Sequence, residues 1–341
     1  MNKDLPLISI VMCTYNGAQY IQEQLDSIIN QTYPHLEIII VDDVSKDSTW
    51  DILQSYKQKY PNIILHKNEK NLGYIKNFES ALQKTTGEFI AISDQDDIWE
   101  LNKIELAYNS IGDALLIYHD SALIDQEAQP LHKKISDIAN MYEGNDFRAL
   151  LLYNCVSGHA ILFRKVLLQH IFPFPADMYY DWWIALNALM RGNIKYIPTA
   201  LVQYRQHQSN VTNIRGDDNK SIKKDLRSFK KQLRIYNKRK EYIDIVNRLE
   251  VLQQLNFPTI VEQKYMADLL KAFKRKDKTP FSPCLYTLMM PYFNTLFFPQ
   301  KSNTWSRFKN VLKIAFTRRY DIKPSPEAVI KIEAYLKNKG N

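Results

Sequence analysis

At 341 residues the chain is long enough for one large domain or for a domain with a substantial appendage, and 45% hydrophobic against 24% charged residues is ordinary for a protein with a packed core. Cys13, Cys155 and Cys284 lie far apart with no CxxC or Cys/His spacing, which argues against a disulfide framework or a structural zinc and fits a reducing compartment. The net charge of +8 is unevenly spread: residues 1–210 hold 17 Lys+Arg against 25 Asp+Glu, a balance of −8, while residues 211–341 hold 28 against 12, a balance of +16.

From the N-terminus, residues 7–13, 37–41, 62–66 and 88–92 are short apolar runs that end in polar loops and read as strands. Between them lie helical faces: Ile21, Leu25, Ile28 and Ile29 within 20–30, Ile52, Leu53 and Tyr56 within 49–60, and Phe78, Ala81 and Leu82 within 76–84. This alternation predicts an α/β fold, a mostly parallel sheet with helices on both faces. From 111 to 210 the signal is mixed, with strands expected at 114–118, 158–163 and 194–204 around Pro198, and helices at 149–153 and 181–190. The composition breaks near 211–220. Beyond it Ile222, Leu226, Phe229, Leu233 and Tyr236 mark a basic amphipathic helix. A second is expected at 305–319, where Trp305, Phe308, Val311, Leu312 and Phe316 interleave with Arg307, Lys309, Lys313, Arg318 and Arg319.

No secretory signal is visible: Asp4 precedes an apolar run too short for an h-region. The longest apolar candidate for a membrane span, 285–298, is interrupted by Pro291 and Asn294. The expectation is a cytoplasmic protein, peripheral at the inner membrane face.

The most telling stretch is SDQDDIW, residues 93–99, where Asp94, Asp96 and Asp97 crowd the end of a strand. Close carboxylates repel one another unless a cation lies between them, and hard Mg²⁺ or Mn²⁺ prefers such oxygen ligands, often shared with a substrate's phosphates. Strand ends are also where open α/β sheets bind ligands. The second strand ends in Asp42 and Asp43, which are not both needed as helix caps because Ser45 or Asp47 is better placed. A carboxylate there can accept the imide N–H of uracil or thymine, or the ring N–H of guanine.

Taken in order, VMCTYNG (11–17), QTYPHLEIIIVDD (31–43), SKDST (45–49), NLG (71–73) and SDQDD (93–97) resemble the family 2 glycosyltransferases, which have the GT-A nucleotide-diphospho-sugar fold. The resemblance covers roughly residues 6–210. SDQDDIW and YRQHQSNVT (204–212) look most like the bacterial rhamnosyltransferase-like members. It implies a GT-A catalytic domain over 1–212, followed by a basic, mainly helical region over 213–341. Tyr15 and Asp43 would contact the nucleotide base, supported by Thr14 and Asn16, with Asp42, Asn71 and Gly73 in the same donor site. Asp94 would sit near the ribose or diphosphate, and Asp96 would ligate a divalent cation, Mg²⁺ or Mn²⁺, joined by His207. Asp181, in YYDWWIAL, would be the catalytic base, although an acid at a helix N-terminus is also favoured by the helix dipole alone. His159, Trp182 and Trp183 would lie near the sugar or acceptor, the two tryptophans as a stacking surface or as core. Arg205 would bind a phosphate or be solvated. Val44 stands where the family commonly has glycine, which bears on the loop's shape.

The reaction so implied is inverting, non-processive transfer from a UDP- or dTDP-linked sugar to a glycan or polyprenyl-linked acceptor. Processive synthases carry membrane spans and a QxxRW motif, and neither appears. The alternative from another class is a non-catalytic nucleotide or glycan binder on the same fold. No nucleic-acid-binding motif is recognisable in the basic region, which is expected to meet an anionic membrane surface or another subunit, a homo-oligomer included.

Overall fold

The computed structural model describes residues 5–207, 226–255, 257–276, 281–316, 329 and 332–333. The chain divides into two compact units, Met1–Arg205 with Phe298–Lys301 and Gln206–Phe297 with Ser302–Asn341. Residues 208–225, which hold the expected change of character and the start of the first basic helix, lie outside the described residues, as do Arg318 and Arg319.

The first unit is built on a nine-stranded sheet of β1 (Ile8–Thr14), β2 (Leu36–Asp42), β3 (Ile63–Lys67), β4 (Phe89–Ser93), β5 (Ile98–Trp99), β6 (Leu116–Ile124), β7 (Pro130–Lys134), β8 (Ile161–Arg164) and β9 (Ile194–Arg205). Its order is β3-β2-β1-β4-β8-β6-β9-β5, with β7 paired to β6. The strands from β3 to β4 run parallel, and β8 enters antiparallel to both β4 and β6. Ile8, Ile10, Val11, Met12, Ile38, Ile39 and Ile40 are fully buried, as befits parallel strands covered on both faces. Glu37 is a buried acid within β2. Burial pushes its carboxyl up, but bonds from Ser9 Oγ, Thr86 N, Thr86 Oγ1 and Gly87 N outweigh burial and hold it below its usual value.

Helices α1 (Ile21–Ile29), α2 (Thr49–Lys59), α3 (Tyr74–Leu82) and α4 (Lys103–Ile111) follow the first strands, then short α5 (Ile135–Ile138) and α6 (Leu168–Ile171), then α7 (Tyr180–Leu189). The second half departs from the sequence reading. The helix expected at 149–153 is a 3-10 turn at Phe147–Leu150, and the strand expected from 158 begins only at Ile161, after a turn at Gly158–Ala160. Residues 194–205 form one strand rather than two. A register shift against β6 absorbs Pro198, with Ile197 opposite His119 and Ala200 opposite Asp120. Phe298–Lys301 returns to this unit: Asn140 N donates to Pro299 O at 2.9 Å, and its amide donates to the carbonyls of Phe298 and Gln300.

The second unit contains α8 (Leu226–Gln253), α9 (Ile260–Lys276), α10 (Pro283–Met289), α11 (Phe293–Leu296) and α12 (Thr304–Phe316). α8 packs on α9, α10 on α9 and α12, and α11 on α12. Leu249, Met266, Leu269, Phe273, Leu285, Met289, Leu296 and Val311 form the core. The apolar run at 285–298 is thus broken into short helices. Among the described residues no helix is long and apolar enough to cross a membrane.

Candidate active site

β1, β2 and β4 are parallel neighbours, so their carboxyl ends lie side by side, Thr14 pairing with Asp42 and Met12 with Ser93. The loops leaving them carry CTYNG, VDDVSKDST and SDQDD, where a parallel sheet opens its ligand crevice.

Asp42 is buried and organises the loop: it accepts from Thr14 Oγ1 at 3.0 Å, from Ser45 N at 3.0 Å and from Ser45 Oγ. Those bonds bend the chain through Val44 at φ 64°, the left-handed region that β-branched residues avoid. The valine thus adopts the conformation expected of glycine, and the loop keeps its shape at a cost in strain. Asn16, also left-handed at φ 51°, ties the first loop to the second through Ser45 Oγ and Lys46 N. Gln95 grips Tyr15 from across the crevice, accepting from its N at 2.9 Å and donating to its O at 3.1 Å. A Cβ on Gly17 would lie 2.3 Å from that Gln95 amide, so a larger residue there would push Gln95 off Tyr15. The Tyr15 ring is left exposed.

Asp43 is buried and turned toward the NLG loop. Its carboxylate accepts from Asn68 Nδ2 at 2.7 Å, Leu72 N at 2.8 Å and Gly73 N at 2.9 Å, while Asn71 Nδ2 donates to the Asp43 carbonyl. Gly73, at φ 77°, makes that turn possible. Three of the roughly four acceptor positions of a carboxylate are thereby filled from within the chain.

In the acidic loop, the three aspartates part company. Asp94 is half-buried. Asp97 is fully buried and accepts from Arg205 N at 3.0 Å through Oδ1, while its Oδ2 has no hydrogen-bond partner. That oxygen lies 3.9 Å from His159 Nδ1, which is 3.6 Å from Asp94 Oδ2. These gaps are too long for hydrogen bonds, yet shorter than the roughly 4.2 Å between opposite ligands of an octahedral ion with bonds near 2.1 Å. Among the described residues, Asp94, Asp97 and His159 are the group whose ligand atoms all lie within 4.8 Å of one another, and Asp96 is not in it. The other ring nitrogen of His159, Nε2, pairs with Ser121 Oγ at 2.9 Å, and its ring packs at a tilt against Tyr204.

Behind this group, Lys103 is buried, donating to the His159 carbonyl at 2.7 Å with its ammonium 3.0 Å from the centre of the Trp99 ring. Burial pushes Lys103 well down and Asp97 well up, the latter helped by the charges of Asp96 and Asp94. Arg205 is neither solvated nor open to a phosphate. It is 1% exposed, donating to the carbonyls of Asp96 (2.8 Å) and Gln126 (3.1 Å) and to Glu23 (2.6 Å), with its guanidinium over Tyr20. It clamps the acidic loop to β9 and α1.

Asp181 opens α7. Its carboxylate accepts from Trp182 N at 2.6 Å and Gly158 N at 3.2 Å. Gly158 has no side chain because the Tyr180 hydroxyl lies 2.3 Å from where a Cβ would be. Desolvation pushes Asp181 up to about 7; the Trp182 and Gly158 amides oppose this and the charge of Asp94 adds to it. A carboxyl poised there is suited to accept a proton near neutral pH.

The strand ends thus bring together Thr14, Tyr15, Asn16, Asp42, Asp43, Asn71, Gly73, Asp94, His159 and Asp181. Trp182 and Trp183 are core rather than a stacking surface: both are buried, and their indole N–H groups donate to the carbonyls of Leu150 and Ile171. His207 falls two residues past β9, at the start of the second unit. Sequence reasoning passed over Gln95, Lys103 and Ser121. For Lys103 a signal existed, since it shares the Ile104, Ala107 and Ile111 face of α4, a core position for a lysine.

Residues 9–172 match the family model described as Glycosyl transferase family 2. The chain is 29% identical over 274 residues to an uncharacterized glycosyltransferase of Haemophilus influenzae, covering 74% of this chain and 81% of that one. It is 35% identical over 132 residues to the putative teichuronic acid biosynthesis glycosyltransferase TuaG of Bacillus subtilis, covering 38% of this chain and about half, 52%, of TuaG. Among solved structures, S. aureus TarS 1-349 in complex with UDP-GlcNAc is similar at a TM-score of 0.54 and 17% identity, covering 97% of this chain and 91% of that one. The fold is therefore the GT-A type, followed by a helical region.

Proposed function

We propose, from the match of residues 9–172 to the family 2 glycosyltransferase model, that the chain transfers a single sugar from a nucleoside-diphosphate donor to a hydroxyl of a bacterial surface-glycan precursor, with inversion. The catalytic part is residues 1–212. The observation that carries the reading is Asp181, a half-buried carboxyl held by two backbone amides and raised to about 7, beside the strand ends that would receive the donor.

The loops divide the work. Tyr15, Asn16, Asn71 and Gly73 line the donor end, with Asp42 and Asp43 fixing those loops and the last acceptor position of Asp43 left for a base N–H. Asp94, Asp97 and His159 would hold a divalent cation. The buried, unpartnered Asp97 oxygen supports that assignment, and two oxygens with one imidazole suit Mn²⁺ better than Mg²⁺. When bound, the cation neutralises charge on the departing diphosphate. Asp181 takes the proton of the acceptor hydroxyl as its oxygen forms the new bond to the anomeric carbon and the bond to the diphosphate breaks. A single in-line displacement inverts that carbon.

TuaG and TarS, one named for teichuronic acid biosynthesis and the other solved with UDP-GlcNAc, support a surface glycan and a uridine donor. Thymidine presents the same imide edge, so dTDP-linked sugars, rhamnose among them, belong in the test. That test is release of nucleoside diphosphate across a panel of UDP- and dTDP-sugars, for the wild type and Asp181→Asn. Turnover by the wild type and its collapse in the variant, with donor still bound, is the expected result. Binding without turnover for any donor would make the protein a non-catalytic binder.

A further inference from the structure

We infer that the solvent face of α12 is a docking surface for an anionic lipid bilayer, an inference independent of the catalytic reading. At 100° per residue, Trp305, Lys309, Leu312, Lys313 and Phe316 fall within one arc of about 100°. The other side of the helix buries Val311, Ile314 and Ala315 in the second unit. A face turned to water is ordinarily polar. This one leaves Trp305 60% and Phe316 36% exposed, and Ser282 N, donating to Ala315 O at 2.8 Å, brings Phe281, itself 54% exposed, next to the helix's carboxyl end.

The occupant follows from charge and residue type. Between Phe281 and Phe316 there is no Asp or Glu, while Lys301, Arg307, Lys309 and Lys313 are basic. Trp305 stacks on Phe308, and Lys309 Nζ lies 5.1 Å from the Trp305 ring centre, so apolar surface and positive charge share one strip. Tryptophan and lysine side by side on a helix of about 20 Å lying flat match the headgroup–acyl boundary. An exposed strip without acids is drawn to anionic headgroups specifically.

The experiment uses the full chain with vesicles of phosphatidylcholine alone or mixed with phosphatidylglycerol. Trp305 reports on the face directly, because Trp99, Trp182 and Trp183 are buried and Trp50 is half-buried. A blue shift of tryptophan emission and co-sedimentation with the anionic vesicles only, both weakened by salt, is expected. Two variants with unchanged circular dichroism, Lys309→Glu/Lys313→Glu and Trp305→Ser/Phe316→Ser, should each bind roughly tenfold more weakly or worse. Equal partition into neutral and anionic vesicles, no binding, or binding unaltered in both variants would overturn the inference. So would a dimer in sedimentation velocity that the aromatic variant dissolves while vesicles leave Trp305 unshifted, which would make the face a subunit contact.

Discussion

In the first unit the charges that shape the crevice are out of water: Asp97, Lys103 and Arg205 are at most 1% exposed, and backbone carbonyls, ring faces and amides surround them. In the second unit Lys276 is likewise buried, but Lys309 and Lys313 lie on a helix's outer face beside exposed aromatics. Buried charge is costly, so it persists where geometry fixes it, and it sets proton affinity and ligand spacing a few ångströms away. Exposed charge costs little and acts over a Debye length of about 8 Å at physiological ionic strength. Removing a buried charge should therefore damage folding or the site, whereas reversing an exposed one should alter only what the surface meets.

Arg205→Ala should have the largest effect on stability, a loss of about 2–4 kcal/mol in urea unfolding, because the Asp96 and Gln126 carbonyls lose a buried donor and a large side chain leaves a void. A loss below about 1 kcal/mol would mean that the clamp is incidental. Next comes the cation group. Ser121→Ala should weaken Mn²⁺ binding about 10–100-fold by freeing the ring it orients, and His159→Ala at least as much, measured by Mn²⁺ paramagnetic resonance without donor. An unchanged affinity in His159→Ala, with a loss in His207→Ala, would return the nitrogen ligand to residue 207.

Smaller effects sharpen the contrast. Val44→Gly should raise stability by about 0.5–1 kcal/mol, the relief of left-handed strain less the greater chain entropy of glycine. Destabilisation instead would show that the valine side chain contributes packing that outweighs its backbone. Lys309→Glu/Lys313→Glu should shift folding stability by no more than about 0.5 kcal/mol, and a larger shift would place those lysines in the fold rather than on its surface.

The first four strands were legible to within a residue at either end, because a strand buried on both faces is an uninterrupted apolar run. β5, β7 and the returning Phe298–Lys301 segment were not, since partners of two, five and four residues hold their place through pairing rather than composition. In the crevice, Asp94 and Asp181 stood out as acids at a strand end and a helix start. The tryptophans after Asp181 were hard to place from sequence, as a helix apolar all round gives no hint of which ring meets ligand. His159 and Asp97 are 62 positions apart, and only the pairing of β8 with β4 makes them neighbours. Arg205 looked like a surface cation because nothing local marks it as buried.

The central claim is that Asp181 is the base, and the pH dependence of kcat at saturating cation and donor tests it most directly. The carboxyl accepts a proton only when ionised, so with its value near 7 the rate should climb about tenfold per pH unit below that point and level off above it. Asp181→Asn should abolish the climb and lower the plateau by about 10²–10⁴ while donor binding persists. A wild-type rate that stays flat through neutrality, or an Asn variant that keeps both slope and plateau, would contradict the account.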